Sequence, residues 1–186
     1  MTSILPFDEL NAFNDQIRAQ FAQGVRLSKQ DDYEDILDEL LDLFLLSYAR
    51  ANEVTNAKLS SDWIPSIQDV METVNEKVAG KTWEERIKEW FDNGGTGDDI
   101  IRIAETESHR IANRSALDTA KKAGATKKTW LTMMDDKVRE SHDYLLGVTV
   151  GIDDEFITFD GDRAQAPSMF SLPENNINCR CELEFE

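Results

Sequence analysis

The sequence predicts an α+β fold, in which an N-terminal helical bundle is followed by a long helix and a small, mainly antiparallel sheet packed with one helix. Hydrophobic residues recur at helical spacing in successive segments up to residue 123, whereas residues 127–185 hold short β-like segments separated by Gly, Pro and Asp. The glycine-rich residues 94–97 interrupt this pattern and are typical of a joint. We therefore expect a helical region at residues 1–95 and a C-terminal α+β domain at residues 96–186.

The composition argues against several classes of protein. The formal net charge of −17 disfavours loose, charge-driven binding to nucleic acid or to an anionic membrane. No apolar run reaches membrane-spanning length, and the first residues lack the basic start and apolar centre of a signal peptide. The two cysteines are separated by a single residue, which is poor spacing for a disulfide between them. We expect reduced thiols, a cytosolic origin and no membrane partner.

Two helices are predicted in the first fifty residues. The first spans residues 6–23 and ends at Gly24, and Ser28 with Asp31 resembles a capping box before the second. The second helix carries the broadest apolar stripe of the chain, at residues 36–48. Such a stripe is typical of a buried bundle helix or of an interface, and we favour the core.

Two shorter helices follow. One is expected at residues 65–80, and a capping box of Thr82 and Glu85 begins the other. Part of the apolar surface of this region is expected to remain free for a partner, with aromatic anchors at its centre. The candidate anchors are Trp63, Trp83 and Trp90.

The long helix is predicted over residues 98–123 and ends at Gly124. Its alanines gather on one side, where small side chains permit close packing. Basic residues stand out on this helix and just after it because the remaining chain is so acidic. They are Arg110, Arg114, Lys121, Lys122, Lys127 and Lys128. One interpretation is a docking surface for DNA or an acidic partner, and the other is a solvated face that balances neighbouring carboxylates.

The C-terminal domain is expected to contain four strands and one helix. The strands are predicted at residues 127–133, 148–152, 155–159 and 177–185. The helix is predicted over residues 138–146, with Asp135 and Asp136 as its N-cap.

His142, Cys179 and Cys181 are the chemically most distinctive residues. In an extended strand both thiols point to one face, so together with His142 they offer three zinc ligands, with Asp135 as a candidate fourth. The alternative, which we favour, is a buried pair of thiols with no cofactor and no stoichiometric zinc, since free cysteines are often core residues. Arg180 is then expected to pair with Asp135 or Asp136.

Residues 74–186 carry an ordered set of short motifs whose combination is specific. The set comprises the helical segment 101–115, a Lys-x-Trp pair, Asp-x-x-x-Arg-x-x-His, Gly147, Pro167 and the terminal Ile-Asn-Cys-Arg-Cys. This combination resembles the phage Mu F-like minor head protein family, also called phage head morphogenesis proteins. The motif residues that the resemblance carries over are Trp130, Asp135, Arg139, His142, Gly147, Asn178, Cys179, Arg180 and Cys181.

The resemblance implies a minor capsid component of a tailed phage or prophage that associates with the portal vertex during head assembly. It implies a location in the phage head, with the host cytoplasm as the place of assembly, and partners in the portal protein, the inner capsid and packaged DNA. Residues 1–95 are then the expected docking region. Some members carry a toxin or enzyme domain after the motif, and we expect none here because the chain ends at Glu186.

Two other functions compete with a structural role. One is a small hydrolase or transferase that uses His142 with Cys179 or Cys181, for which no complete catalytic motif is visible. The other is a DNA-binding factor that uses the basic helix. Burial of His142 and both thiols without a cleft would argue against the enzyme.

Overall fold

The computed structural model describes residues 3–22 and 30–186, and the side chains of residues 30–32 are not described. The predicted Gly24 stop and the Ser28–Asp31 capping box therefore lie outside the described residues. The described elements, in chain order, are α1 (Phe7–Ala22), α2 (Gln30–Leu59), α3 (Ile67–Val74), α4 (Trp83–Asp92), α5 (Gly97–Lys122), β1 (Lys127–Leu131), α6 (Glu140–Asp143), β2 (Thr149–Gly151), β3 (Phe156–Ile157), β4 (Arg163–Ala164), α7 (Pro173–Asn176) and β5 (Glu182–Phe185). This arrangement confirms the predicted α+β class. None of the helices in the described part of the chain is long and apolar enough to span a membrane.

The apolar stripe of α2 forms the centre of the helical core. Its buried members lie at helical spacing on one side of the helix: Ile36, Leu40, Leu43, Phe44 and Tyr48. They share a hydrophobic cluster with buried residues of α1, α4 and α5. The interpretation of this stripe as a bundle core is confirmed.

Trp83 and Trp90 belong to the same core. Trp83 is 1% exposed and packs edge-on against Phe44, with ring centroids 5.2 Å apart, and Trp90 is 7% exposed. The prediction that these two tryptophans anchor a partner is therefore wrong, because Trp83 is buried against Phe44 of α2 and Trp90 is buried beside Phe21 of α1. Trp63 is only partly buried.

The loop between α4 and α5 is fixed by Trp90. The Trp90 indole Nε1 donates to the Thr96 carbonyl at 2.8 Å, and the Gly95 amide donates to the Trp90 carbonyl at 2.9 Å. The indole also leaves no room for a side chain at Gly95, since a Cβ there would lie 2.0 Å from Trp90 Cδ1. The division at residues 95–96 stays a prediction, while the packing shows that α5 shares a core with the helices before it.

Capping boxes set the start of α3, α4 and α5. Thr82 and Glu85 form the predicted box at α4, and Thr96 with Asp99 forms another that begins α5 one residue before Asp98. The predicted helix at residues 65–80 is shorter in the structure, because α3 ends at Val74.

The sheet covers the second half of α5. The strand order is β2-β1-β5, all antiparallel, with Trp130 of β1 opposite Leu183 of β5. Strands β3 and β4 form a separate two-stranded ribbon. Between these elements lies a second cluster of buried residues, whose aromatic members are Trp130, Phe156 and Phe170 and to which Leu117 of α5 contributes.

Two predictions about the C-terminal region are wrong. The helix expected at residues 138–146 is the single turn α6, and Arg139 rather than Asp135 or Asp136 occupies its N-cap position. The last strand begins only at Glu182, so the two cysteines precede it. Strand β4 and helix α7 were not predicted at all.

Candidate functional site

His142 and the two thiols meet in the second core. The Nδ1 atom of His142 lies 3.4 Å from Cys181 Sγ and 3.6 Å from Cys179 Sγ. His142 is 2% exposed, Cys179 4% and Cys181 3%. Among the described residues these three form the group whose ligand atoms could hold a metal ion.

Aromatic rings and helix α7 fix the position of His142. Its ring packs edge-on against Trp130, with centroids 5.4 Å apart, and lies 5.5 Å from the Phe170 ring. The neighbouring Ser141 hydroxyl donates to the Asn175 side-chain oxygen at 3.0 Å. Because all of these contacts are buried, the imidazole has one defined orientation toward the thiols.

The backbone at Cys181 is held from α5. The His109 Nε2 atom lies 2.7 Å from the Cys181 carbonyl oxygen, and the Asn113 amide donates to the same oxygen at 3.1 Å. His109 and Asn113 are four residues apart, so they share one face of the helix. Sequence reasoning included both in the motif helix but assigned them no role. Their helical spacing, with both side chains polar, was the available signal.

The ionisation of one thiol affects the ionisation of the other, because the two are in contact. Burial raises the pKa of the Cys179 thiol, but hydrogen bonds from Cys181 and His142 outweigh it and lower the pKa below the usual range. The hydrogen bond to Cys179 raises the pKa of the Cys181 thiol, and burial raises it further. One thiol therefore ionises easily and the second resists, as expected for two acids in contact.

Asp135 and Arg180 form a surface ion pair beside the cluster. The guanidinium donates two hydrogen bonds of 2.7 Å each to the carboxylate oxygens, as predicted, and the hydrogen bond from Arg180 lowers the pKa of Asp135. The Arg180 side chain is 41% exposed and the Asp135 side chain is 37% exposed. Asp135 is engaged here, and it is not part of the metal-capable group formed by His142 and the thiols.

The remaining motif residues shape the chain around the cluster. The Arg139 guanidinium donates to the Ile177 carbonyl. Gly147 has a φ of 75° and its amide donates to the Trp130 carbonyl at 2.9 Å, which joins the turn between α6 and β2 to β1. Asn178 also adopts a left-handed conformation, with a φ of 56°.

A buried aspartate that sequence reasoning missed organises the segment before α7. The Asp162 carboxylate accepts hydrogen bonds from the Ser171 and Leu172 amides, both at 3.1 Å, and from the Asn175 side chain at 3.0 Å. Asn175 in turn binds Ser141, so this network supports the helix that carries His142.

The prediction that six basic residues form an exposed surface is wrong for two of them. Arg110 is 1% exposed and Lys128 is 0% exposed, because their side chains point into the two cores. Arg114 pairs with Asp118 at 3.0 Å, and Lys121 pairs with Asp153 at 2.9 Å. Lys122 and Lys127 are exposed. A contact of these four remaining side chains with DNA or a partner stays a prediction.

The fold and the buried His–Cys cluster define a small α+β domain whose motif residues pack around the end of the chain. The family described as Phage Mu protein F like protein matches residues 66–184, well over half of the chain. The protein belongs to this family. The matched range extends the predicted motif region toward its N-terminus and includes α3 and α4.

Two relatives were found with similar segments. One is the NAD(+)--arginine ADP-ribosyltransferase EFV of Enterococcus faecalis, 38% identical over 85 residues, or 44% of this chain and 17% of the relative. The other is the minor head protein GP7 of Bacillus phage SPP1, 34% identical over 84 residues, or 43% of this chain and 27% of the relative. The matches thus span less than a third of each relative. No solved structure matches significantly.

Family membership and the likeness to a minor head protein together support assignment to the phage head morphogenesis proteins.

Proposed function

We propose that this protein is a minor head protein that binds the portal protein or the inner capsid in the host cytoplasm during assembly and remains in the virion. The observation that carries the proposal is the family match over residues 66–184, joined to the 34% identity with the minor head protein of phage SPP1. The family match covers the second core and stops short of helices α1 and α2, so the feature shared with the family is centred on the α+β domain.

The surroundings of His142 support a structural role over catalysis. All three members of the cluster are buried, and the recess beside them has room for about one water molecule. A hydrolase or transferase needs space for the scissile group of its substrate within reach of the nucleophile. The ADP-ribosyltransferase relative adds little here, since the matched segment is 17% of that protein.

An exposed apolar patch beside α6 is the docking surface that we assign. Tyr144 and Phe159 are 61% and 58% exposed and contact each other edge-on, with ring centroids 6.3 Å apart. Met134, 77% exposed, and Leu146, 40% exposed, line a shared shallow recess nearby. We call these four residues the Tyr144 patch. Exposed aromatic and methionine side chains are enriched among the residues that anchor protein interfaces.

The helical region offers a second, smaller docking surface. Ile64 and Ile67 are 84% and 74% exposed at the start of α3. If residues 1–95 dock on the portal, as the sequence led us to expect, Ile64 and Ile67 are the candidate anchors in place of the buried Trp83 and Trp90.

Incorporation into phage heads tests the proposal. The variants are Tyr144→Ser with Phe159→Ser, and Ile64→Ser with Ile67→Ser. The control is Leu172→Ser, an exposed leucine at 39% that belongs to neither surface. We expect the Tyr144 patch variant to keep its melting temperature but to be reduced about tenfold or more in purified heads, by quantitative mass spectrometry, and in binding to purified portal protein. Point substitutions are preferable to deletion of residues 1–80, which would expose the core face of α5.

The outcomes separate the alternatives. Loss of incorporation by the Ile64 and Ile67 variant alone would move docking to the helical region. Normal incorporation of both variants, with no binding of the wild-type protein to portal or capsid protein, would refute the proposed docking role.

Contact with packaged DNA is expected to be weaker than contact with the portal or capsid protein. Of the four basic side chains that reach the surface, Arg114 and Lys121 are paired with carboxylates, and the net charge is −17. We therefore expect weak binding to free duplex DNA at physiological salt, measured by fluorescence anisotropy.

A further inference from the structure

The donor atoms of His142, Cys179 and Cys181 converge at one point in the second core. A single nitrogen, His142 Nδ1, faces both Sγ atoms, at 3.4 Å and 3.6 Å. A ring nitrogen either donates or accepts one hydrogen bond, so it can satisfy one thiol at a time. The other nitrogen, Nε2, is buried and has no hydrogen-bond partner in the described part of the protein.

The spacing of these atoms fits a tetrahedral zinc ion. With Zn–S bonds of about 2.3 Å and Zn–N bonds of about 2.0–2.1 Å, a nitrogen and a sulfur ligand lie about 3.6 Å apart and two sulfurs about 3.8 Å apart. The observed nitrogen–sulfur separations are 3.4 Å and 3.6 Å, and all three donor atoms lie within 4.8 Å of one another. The two nitrogen–sulfur separations thus match those of a tetrahedral zinc site.

We propose that His142 Nδ1 and the Sγ atoms of Cys179 and Cys181 bind one Zn²⁺ ion, with a water molecule as the fourth ligand. Two thiolates and a neutral imidazole are a donor set that zinc prefers. The recess lined by Met133, Arg139 and these three residues has room for about one water molecule, which matches a single open coordination position. This proposal revises the expectation of no stoichiometric zinc.

The charge balance of the site favours the ion. Two thiolates neutralise Zn²⁺, so the buried assembly carries no net charge, which avoids the large cost of burying an unbalanced ion. Arg180 at the rim is paired with Asp135, and Arg139, which also lines the recess, keeps its positive charge beside the sulfur ligands and donates to the Ile177 carbonyl. Zinc would fasten the segment of Cys179 and Cys181 to α6, across nearly forty residues of sequence.

The test uses the full chain, purified under reducing conditions without a histidine tag, stripped with a chelator and dialysed against zinc. We expect about one zinc per chain by elemental analysis, a higher melting temperature with zinc than without, and a thiolate-to-metal charge-transfer band when Co²⁺ replaces zinc. The Cys181→Ser and His142→Gln variants should each bind zinc more weakly by more than about 100-fold. The control Asp135→Asn, which breaks the adjacent ion pair, should bind zinc as the wild type does.

Several outcomes would overturn the proposal. One is a wild-type protein that retains far less than one zinc per chain, and another is a Co²⁺ complex without a charge-transfer band. Both readings come from the wild type, so they decide the matter even if a variant does not fold. Equal zinc binding by a folded Cys181→Ser variant would also refute the site.

Discussion

Arg110 provides the sharpest test of how the helical core is held together. Its guanidinium donates to Glu107 at 2.6 Å and to the carbonyl oxygens of Thr73 and Val74 at 2.9 Å and 3.0 Å. Arg110 and Glu107 are 1% and 3% exposed, so the pair is fully buried. The bonds to the two carbonyls tie the last turn of α3 to α5, because a helix leaves its final carbonyl groups without partners.

Replacement of Arg110 by Met should destabilise the protein strongly. It removes a buried partner of Glu107 and one hydrogen bond from each of the Thr73 and Val74 carbonyl groups. Glu107 keeps its 2.7 Å contact with Arg86, and the Thr73 carbonyl keeps the Glu76 amide at 3.3 Å. Breaking a buried ion pair in this way costs about 3–5 kcal/mol. A chain of this size shifts by roughly 2–4 °C per kcal/mol, so we expect a fall on the order of 10 °C in the melting temperature, measured by calorimetry.

Arg114 supplies the matched control, since it lies one turn further along α5. Its contact with Asp118 at 3.0 Å is partly solvated, with side chains 30% and 26% exposed. Arg114→Met should therefore cost no more than about 1 kcal/mol. The double variant Glu107→Gln with Arg110→Met should be less destabilised than the sum of the two single variants, because the interaction between Glu107 and Arg110 is lost in each single variant and is counted twice in the sum. Equal effects of the Arg110 and Arg114 substitutions would refute this account of the core.

Three further predictions follow from single contacts. Burial lowers the pKa of Lys128 to about 8, so its charge costs stability in full below pH 8, and this cost disappears as the pH rises toward 10.5. Lys128→Met should raise the melting temperature at pH 7 and remove the gain in stability between pH 8 and 10.5, and an unchanged pH profile would contradict this. Gly95→Ala should cost at least about 2 kcal/mol in urea unfolding because its Cβ would meet Trp90, whereas in the control Gly151→Ala the nearest atom is the flexible end of a side chain. Thr82→Ala should cost about 1 kcal/mol through loss of the capping box, and no change in the urea midpoint would show that the box does not stabilise α4.

The helical half could be predicted in outline because its signals are local. The buried face of α2 follows from the spacing of apolar residues, and the start of α4 follows from Thr82 and Glu85, which are three positions apart. The role of the tryptophans could not be predicted this way. Whether Trp83 faces solvent or Phe44 depends on how α4 lies against α2, and no local pattern records that arrangement.

Charge patterns were the least reliable guide to the site. Arg110 and Arg114 lie four residues apart in the same helix, yet one is buried against α3 and the other lies near the surface. A helical wheel places them on similar faces, and only the position of α3 separates them. The same holds for Lys128, whose place in β1 directs it inward beside the Phe156 ring, 5.6 Å from the centroid.

The sequence identified the residues that meet in the C-terminal site, but not the elements that hold them together. Alternation along a strand was the reason for placing both thiols on one side, yet Cys179 and Cys181 precede the strand. The Cys181 carbonyl is held by His109 and Asn113 of α5. The ordered motif succeeded where periodicity failed because its residues are defined by contacts between distant segments. Each one closes such a contact: Trp130 against His142, Asp135 on Arg180, Arg139 on the Ile177 carbonyl and Gly147 on the Trp130 carbonyl. The motif therefore describes a way of fastening the last segment of the chain to α5 and α6, and a zinc ion at His142 would complete the same fastening.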